Sequence, residues 1–154
     1  MSKVRLQPAD HVAFQVVALA NRIASSASRA FLRSYGVGVM EWRVLALAGL
    51  RPGTTANEIS QVSSIDKASV SRAVQALSRG GYLQTAGDPA DARRTRLTLT
   101  ASGEDLHDRV LAASLARERL LLTGFSGAER QAVLELLRRM SANMALVEGH
   151  EPEA

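Results

Sequence analysis

The side chains with the most chemical reach in this chain lie between residues 66 and 96. Asp66-Lys67-Ala68-Ser69-Val70-Ser71-Arg72, with Gln75 one turn further on, offers small polar and basic groups. Arginine can take guanine O6 and N7, glutamine can take adenine N6 and N7, and serine serves a base edge or a phosphate. Ala68 is small enough for close approach or for contact with a thymine methyl. Further along, Arg93 and Arg94 close the turn-rich stretch Gly87-Asp88-Pro89-Ala90-Asp91-Ala92-Arg93-Arg94. An arginine on a protruding ribbon suits a narrow minor groove, where negative potential is concentrated. Asp91 repels phosphate, so its expected task is to pair with Arg93 and hold that guanidinium in one direction. The expected DNA contacts are therefore Lys67, Ala68, Ser69, Ser71, Arg72, Gln75, Arg93 and Arg94, with Asp91 orienting the hairpin.

Charge is concentrated in the same place. The chain carries a formal +4. Between Lys67 and Arg96 six basic residues stand against Asp88 and Asp91, leaving a net charge equal to that of the whole chain. Such clustering is the electrostatic footprint of phosphate contact. A winged module serving only protein–protein contact is the competing reading, and it gives no reason for a basic tip.

Other chemistry finds little support. With no cysteine, disulfides, thiolate metal sites and thiol-based oxidant sensing within this chain are excluded. His11, His107 and His150 have no ligand-like spacing, and Asp105 and Asp108 beside His107 read as a solvated helix face, so no metal and no cofactor are expected. Gly-x-Ser-x-Gly, the phosphate-binding Gly-Lys-Ser/Thr loop and His-Glu-x-x-His are all missing from the sequence, and Gly36-x-Gly38 is a turn. The chain is not expected to be an enzyme. No apolar run approaches the roughly 20 residues that span a bilayer. Gln15 breaks the one stretch that mimics a signal peptide, so a cytoplasmic protein is expected.

The elements that must position these residues are mostly helices. Val12, Val16, Leu19, Ile23, Ala27 and Ala30 recur three and four residues apart and predict a first helix from about Pro8 to Ser34. A second, Val39 to Leu50, turns Trp42, Leu45 and Leu50 inward. Thr55-x-x-Glu58 is a capping box opening a short third helix through Val62. Asp66 caps a fourth, with Val70, Val74 and Leu77 facing inward. Tyr82 to Ala86 and Arg96 to Thr100 read as strands of a hairpin. Thr100 caps a fifth helix to about Thr123, and Ser126-x-x-Glu129 opens a last one toward Val147. The fold class is mainly α with a small β-hairpin wing. A winged helix-turn-helix spans residues 39–100. It is flanked by N- and C-terminal dimerisation helices (1–38 and 101–148) and followed by a flexible acidic tail, 149–154. The flanking helices carry more apolar surface than so small a module can cover, which predicts a two-fold homodimer.

Met40-Glu41-Trp42-Arg43-Val44-Leu45, the Asp66–Arg72 segment, Leu77-x-x-x-Gly81-Tyr82-Leu83, Asp91-x-Arg93 and Leu99-Thr100-x-x-Gly103 together resemble the MarR family of bacterial transcriptional regulators. The similarity runs over about residues 10 to 147, with specific motifs in 40–103. The resemblance implies a homodimeric winged-helix regulator of double-stranded DNA, usually a repressor released by a small ligand or an oxidant. It implies that the arginine matching Arg93 reaches the minor groove, and that residues matching Ser69, Ser71 and Arg72 approach the major groove. It also implies a pocket between the dimer layer and the DNA-binding lobes, for which His11, Phe14, Phe31, Tyr35 and Trp42 are the expected lining, suited to an aromatic or lipophilic effector. Two positions depart from the family pattern. Ser64 replaces a common turn glycine, so its turn must avoid positive φ or carry strain, and Ala92 replaces a residue that is often basic.

Overall fold

The computed structural model describes residues 7–89 and 91–151, with Ala92 and Arg93 described by their backbone alone. In chain order, a single 3-10 turn at Pro8–Asp10 precedes α1 (Val12–Tyr35), α2 (Val39–Leu50), β1 (Thr54–Thr55), α3 (Ala56–Ser63) and α4 (Lys67–Arg79). Then follow β2 (Leu83–Asp88), β3 (Asp91–Leu99), α5 (Ala101–Leu121), α6 (Gly127–Ala142) and α7 (Met144–Glu148). The chain forms two compact units, residues 1–114 and 115–154, with the boundary inside α5. No helix among the described residues is long and apolar enough to cross a membrane.

The helix boundaries follow from local chemistry. Gly36 adopts φ 73°, its N–H donating to the Leu32 carbonyl, and this left-handed residue ends α1. Thr55 and Glu58 complete the expected capping box of α3, and Ser126 and Glu129 that of α6. Thr100 Oγ1 accepts from the Gly103 N–H at 3.1 Å and starts α5. Asp66 caps α4, accepting from the Ser69 N–H at 2.8 Å.

The core of the first unit draws on every one of its larger elements. Phe31 of α1, Val44, Leu45 and Ala48 of α2, Ile59 of α3, Val70, Ala73 and Leu77 of α4, Leu83 and Leu97 of the hairpin, and Leu106 and Val110 of α5 are all buried. The antiparallel sheet has the order β1-β3-β2. Thr54 lies opposite Leu97 and Thr55 opposite Arg96, while Leu83 lies opposite Leu99.

Four expectations need correction. Leu50 is 74% exposed rather than inward: it lies five residues beyond buried Leu45, which turns it about 140° off that face at 3.6 residues per turn. The hairpin strands run further toward the tip than predicted, because Gly87 pairs with Thr95 and Asp88 with Asp91. β1 is an additional strand, too short to show an alternating pattern. The last helix is interrupted at Asn143 (φ −78°, ψ −7°), where the backbone N–H is shared between the Arg139 and Met140 carbonyls, a three-centre bond common at helix ends. Half of the predicted acidic tail, residues 152–154, lies outside the described residues.

Candidate nucleic-acid interface

α3 and α4 are joined at Ser64-Ile65. Ile65 is buried beneath the turn, and its carbonyl accepts from Ser60 Oγ at 2.6 Å. Ser64 takes φ 52°, ψ 33°, so the turn carries the strain that its missing glycine would have avoided. α4 then presents two different faces. Val70, Ala73 and Leu77 are buried and Val74 half-buried, while Lys67, Ala68, Ser71, Arg72 and Gln75 are exposed and Ser69 is half-exposed. Arg72 Nη2 donates to Ser69 Oγ at 2.8 Å, so two of the expected contacts form one hydrogen-bonded pair. Such a pair is legible from its i, i+3 spacing.

At the start of α4 the Asp66 carboxyl is held below its usual range, chiefly by the Ser69 hydrogen bonds. Glu58 is lowered as well, first by the Thr55 backbone N–H and then by the Thr54 hydroxyl. Both groups keep their charge to lower pH than an ordinary carboxyl.

In the hairpin, Arg96 meets Asp88 with Nε 3.1 Å from Oδ2 and Nη2 3.2 Å from Oδ1. The Asp88 side chain is only 6% exposed. A fork on a buried carboxylate is the strong form of this contact. Arg94 crosses to α3, where its Nη2 lies 2.6 Å from Glu58 Oε1. Neither pair was foreseen. The Arg93 side chain, and with it the expected Asp91–Arg93 pairing, lies outside the described residues.

The residues expected to line an effector pocket divide. Phe31 stands 6.3 Å from both Tyr35 and Trp42, ring centre to ring centre. His107 of α5 lies 5.7 Å from Trp42, its ring tilted 39° to the indole, and the Arg109 guanidinium lies 6.0 Å from the Tyr35 ring. His107 and Arg109 come from α5, which the sequence reading named only as an element. His11 and Phe14 lie elsewhere. His11 Nδ1 accepts from the Phe14 N–H at 3.1 Å, capping α1, and both residues are exposed. With 1.5 Å of rise per residue, Phe14 lies about 25 Å along α1 from Phe31, so one protomer cannot bring all five together. Asp105, on the exposed face of α5, pairs with Arg109 at 3.1 Å.

Comparison with known proteins agrees with this architecture. The MarR family model matches residues 35–94. The transcriptional repressor NicR of Pseudomonas putida is 30% identical over 83 residues, covering 54% of this chain and about half (52%) of that protein. A MarR/EmrR family transcriptional regulator of Acinetobacter superimposes with a TM-score of 0.85 at 28% identity, covering 92% of this chain and 99% of its own. A putative MarR family regulator of Listeria monocytogenes, solved with a 26mer DNA, has the same fold, with a TM-score of 0.84 at 17% identity over 94% of this chain and 99% of its own. With its helix-turn-helix, hairpin and flanking helices in this order, the chain is similar to MarR family transcriptional regulators, in sequence over residues 35–94 and in fold over nearly its whole length.

Proposed function

We propose that this protein is a sequence-specific transcriptional regulator that binds a pseudo-palindromic operator as a homodimer and acts as a repressor. The observation that carries the reading is the outer face of α4: Lys67, Ala68, Ser69, Ser71, Arg72 and Gln75 stand clear of a buried Val70-Ala73-Leu77 seam. That is what a recognition helix needs in the major groove, with its N-terminal residues against base edges. The hairpin beside it carries Arg93 for the adjacent minor groove. The Listeria protein of this fold, solved with DNA, supports DNA as the partner, and the name of NicR supports repression.

Homodimerisation is supported by the second unit, in which α6 and α7 bury no residue and leave Val133, Leu136, Leu137, Met140 and Met144 exposed. Helices this apolar are stable in water only when covered. An effector of aromatic or lipophilic character is assigned to the Phe31-Tyr35-Trp42 cluster with His107 and Arg109. It would act by favouring a spacing of the two lobes that does not fit the operator.

Selection of bound duplexes from a random library, followed by affinities at two salt concentrations, tests the proposal. A palindrome with half-sites about one helical turn apart is expected, with affinity falling steeply as salt rises. Recovery of no motif would leave the winged-helix protein-interaction module as the better reading.

A further inference from the structure

Two arginines of the basic hairpin are engaged within the chain, and the pairing of Arg94 is the more informative. Its partner, Glu58, lies 36 residues earlier in the first turn of α3. The Glu58 carboxylate is fixed before the arginine reaches it. Oε2 accepts from the Thr55 N–H at 2.9 Å and from Thr54 Oγ1 at 3.1 Å, while the Glu58 N–H donates to Thr55 Oγ1 at 3.2 Å. Oε1 is turned to Arg94 Nη2. Thr54 and Thr55 also form β1, which pairs with Leu97 and Arg96 of β3. The same two residues therefore cap α3, join the base of the hairpin, and aim the carboxylate that meets the hairpin two positions further out.

We propose that Glu58 is a positioning residue for DNA binding. Through Arg94 it pins the outer part of the hairpin to the first turn of α3, and so sets the spacing between the hairpin and the outer face of α4. The inference rests on the DNA-binding reading given above. Arg94 is here a strut rather than a phosphate contact. Arg96, already forked onto buried Asp88, holds the two hairpin strands together and leaves the link to α3 to its neighbour.

The two roles open to Arg94 predict opposite results. Glu58→Gln keeps a side chain that can serve the capping box but removes the charge. As a strut, the pair makes Glu58→Gln and Arg94→Ala each weaken operator binding about two- to fivefold, the modest range of an exposed ion pair. The double variant is no weaker than either single variant, because one interaction has been removed twice. The slope of affinity against salt stays unchanged, since no phosphate contact is lost, and Arg94→Lys recovers part of the affinity. If instead Arg94→Ala lowers the salt slope by about one, or Glu58→Gln strengthens binding by releasing a cation, the proposal is overturned.

A second measurement needs no DNA. Backbone amide order parameters of residues 91–95 should fall in both single variants and return in Arg94→Lys; unchanged values would overturn the strut. Should the wild-type protein bind no duplex at any salt, the DNA-binding reading fails and the positioning role fails with it. The order parameters then decide separately whether Glu58 anchors the hairpin.

Discussion

Ser64 sits at φ 52° in the turn between α3 and α4, with its side chain exposed. A left-handed conformation costs an L-residue about 1–2 kcal/mol, and glycine returns part of that gain as unfolded-state entropy. Ser64→Gly should therefore stabilise the protein by about 0.5–1 kcal/mol, seen as a thermal midpoint higher by about 1–4 °C; a lower midpoint would show that the serine side chain contributes something glycine cannot. Two residues further on, Asp66 links stability to pH. Its folded-state pKa is depressed, chiefly by the Ser69 hydrogen bonds, so its contribution is fully present above the ordinary carboxylate value of about 3.9 and is lost as pH falls through the lower folded value. Asp66→Asn keeps a capping oxygen that does not titrate. Its midpoint should accordingly fall less steeply than that of the wild type below about pH 4, in thermal melts at stepped pH. At this scale the sequence was informative wherever a residue's partner lies within one helical turn: the Asp66 cap, the strain at Ser64 and the two faces of α4 all follow from local spacing. Glu58–Arg94 and Asp88–Arg96 did not follow, because each joins charges across a chain reversal that no periodicity encodes.

Among the elements, the start of α5 is the most constrained. A Cβ on Gly103 would stand 2.0 Å from the Tyr82 carbonyl oxygen and 3.0 Å from its carbon. The same carbonyl accepts from the Thr100 N–H at 3.1 Å, while Thr100 Oγ1 donates to the Gly81 carbonyl at 2.6 Å. The end of β3, the first turn of α5 and the Gly81-Tyr82 segment therefore meet backbone to backbone. Gly103→Ala should cost about 1–3 kcal/mol or more, as overpacking does, measured by chemical denaturation. A neutral result would mean that this junction yields more easily than its hydrogen bonds suggest. The helices themselves were foreseeable because caps and glycine stops are local signals, and the predicted starts of α3, α4 and α6 coincide with their side-chain caps. β1 escaped because a two-residue strand has no pattern of its own; it exists through its register with Leu97 and Arg96. Leu50 faces outward for a reason its spacing already holds: five residues beyond Leu45, it falls about 140° off the buried face.

At the scale of the whole molecule, the exposed apolar surface of the second unit is the dominant feature. Leu136 is 54% and Leu137 44% exposed. If a second copy covers them, Leu137→Glu places an unpaired charge in that interface in both protomers and should raise the dimer dissociation constant at least about a hundredfold. Sedimentation at micromolar concentration would then report monomer, and operator affinity should fall with it. An unchanged mass would move the interface elsewhere. The surplus of apolar residues was legible in the sequence, but which of them stay uncovered in a single copy emerged only once the helices had been assembled. One further consequence lies in the first unit. The chain has a single tryptophan, and Trp42 on α2 lies against Phe31 of α1 and His107 of α5. An indole is quenched more strongly when a neighbouring imidazole is drawn closer to it. The tryptophan fluorescence of this protein therefore comes from one junction of three helices, an unlabelled optical gauge of how α5 is seated on α2.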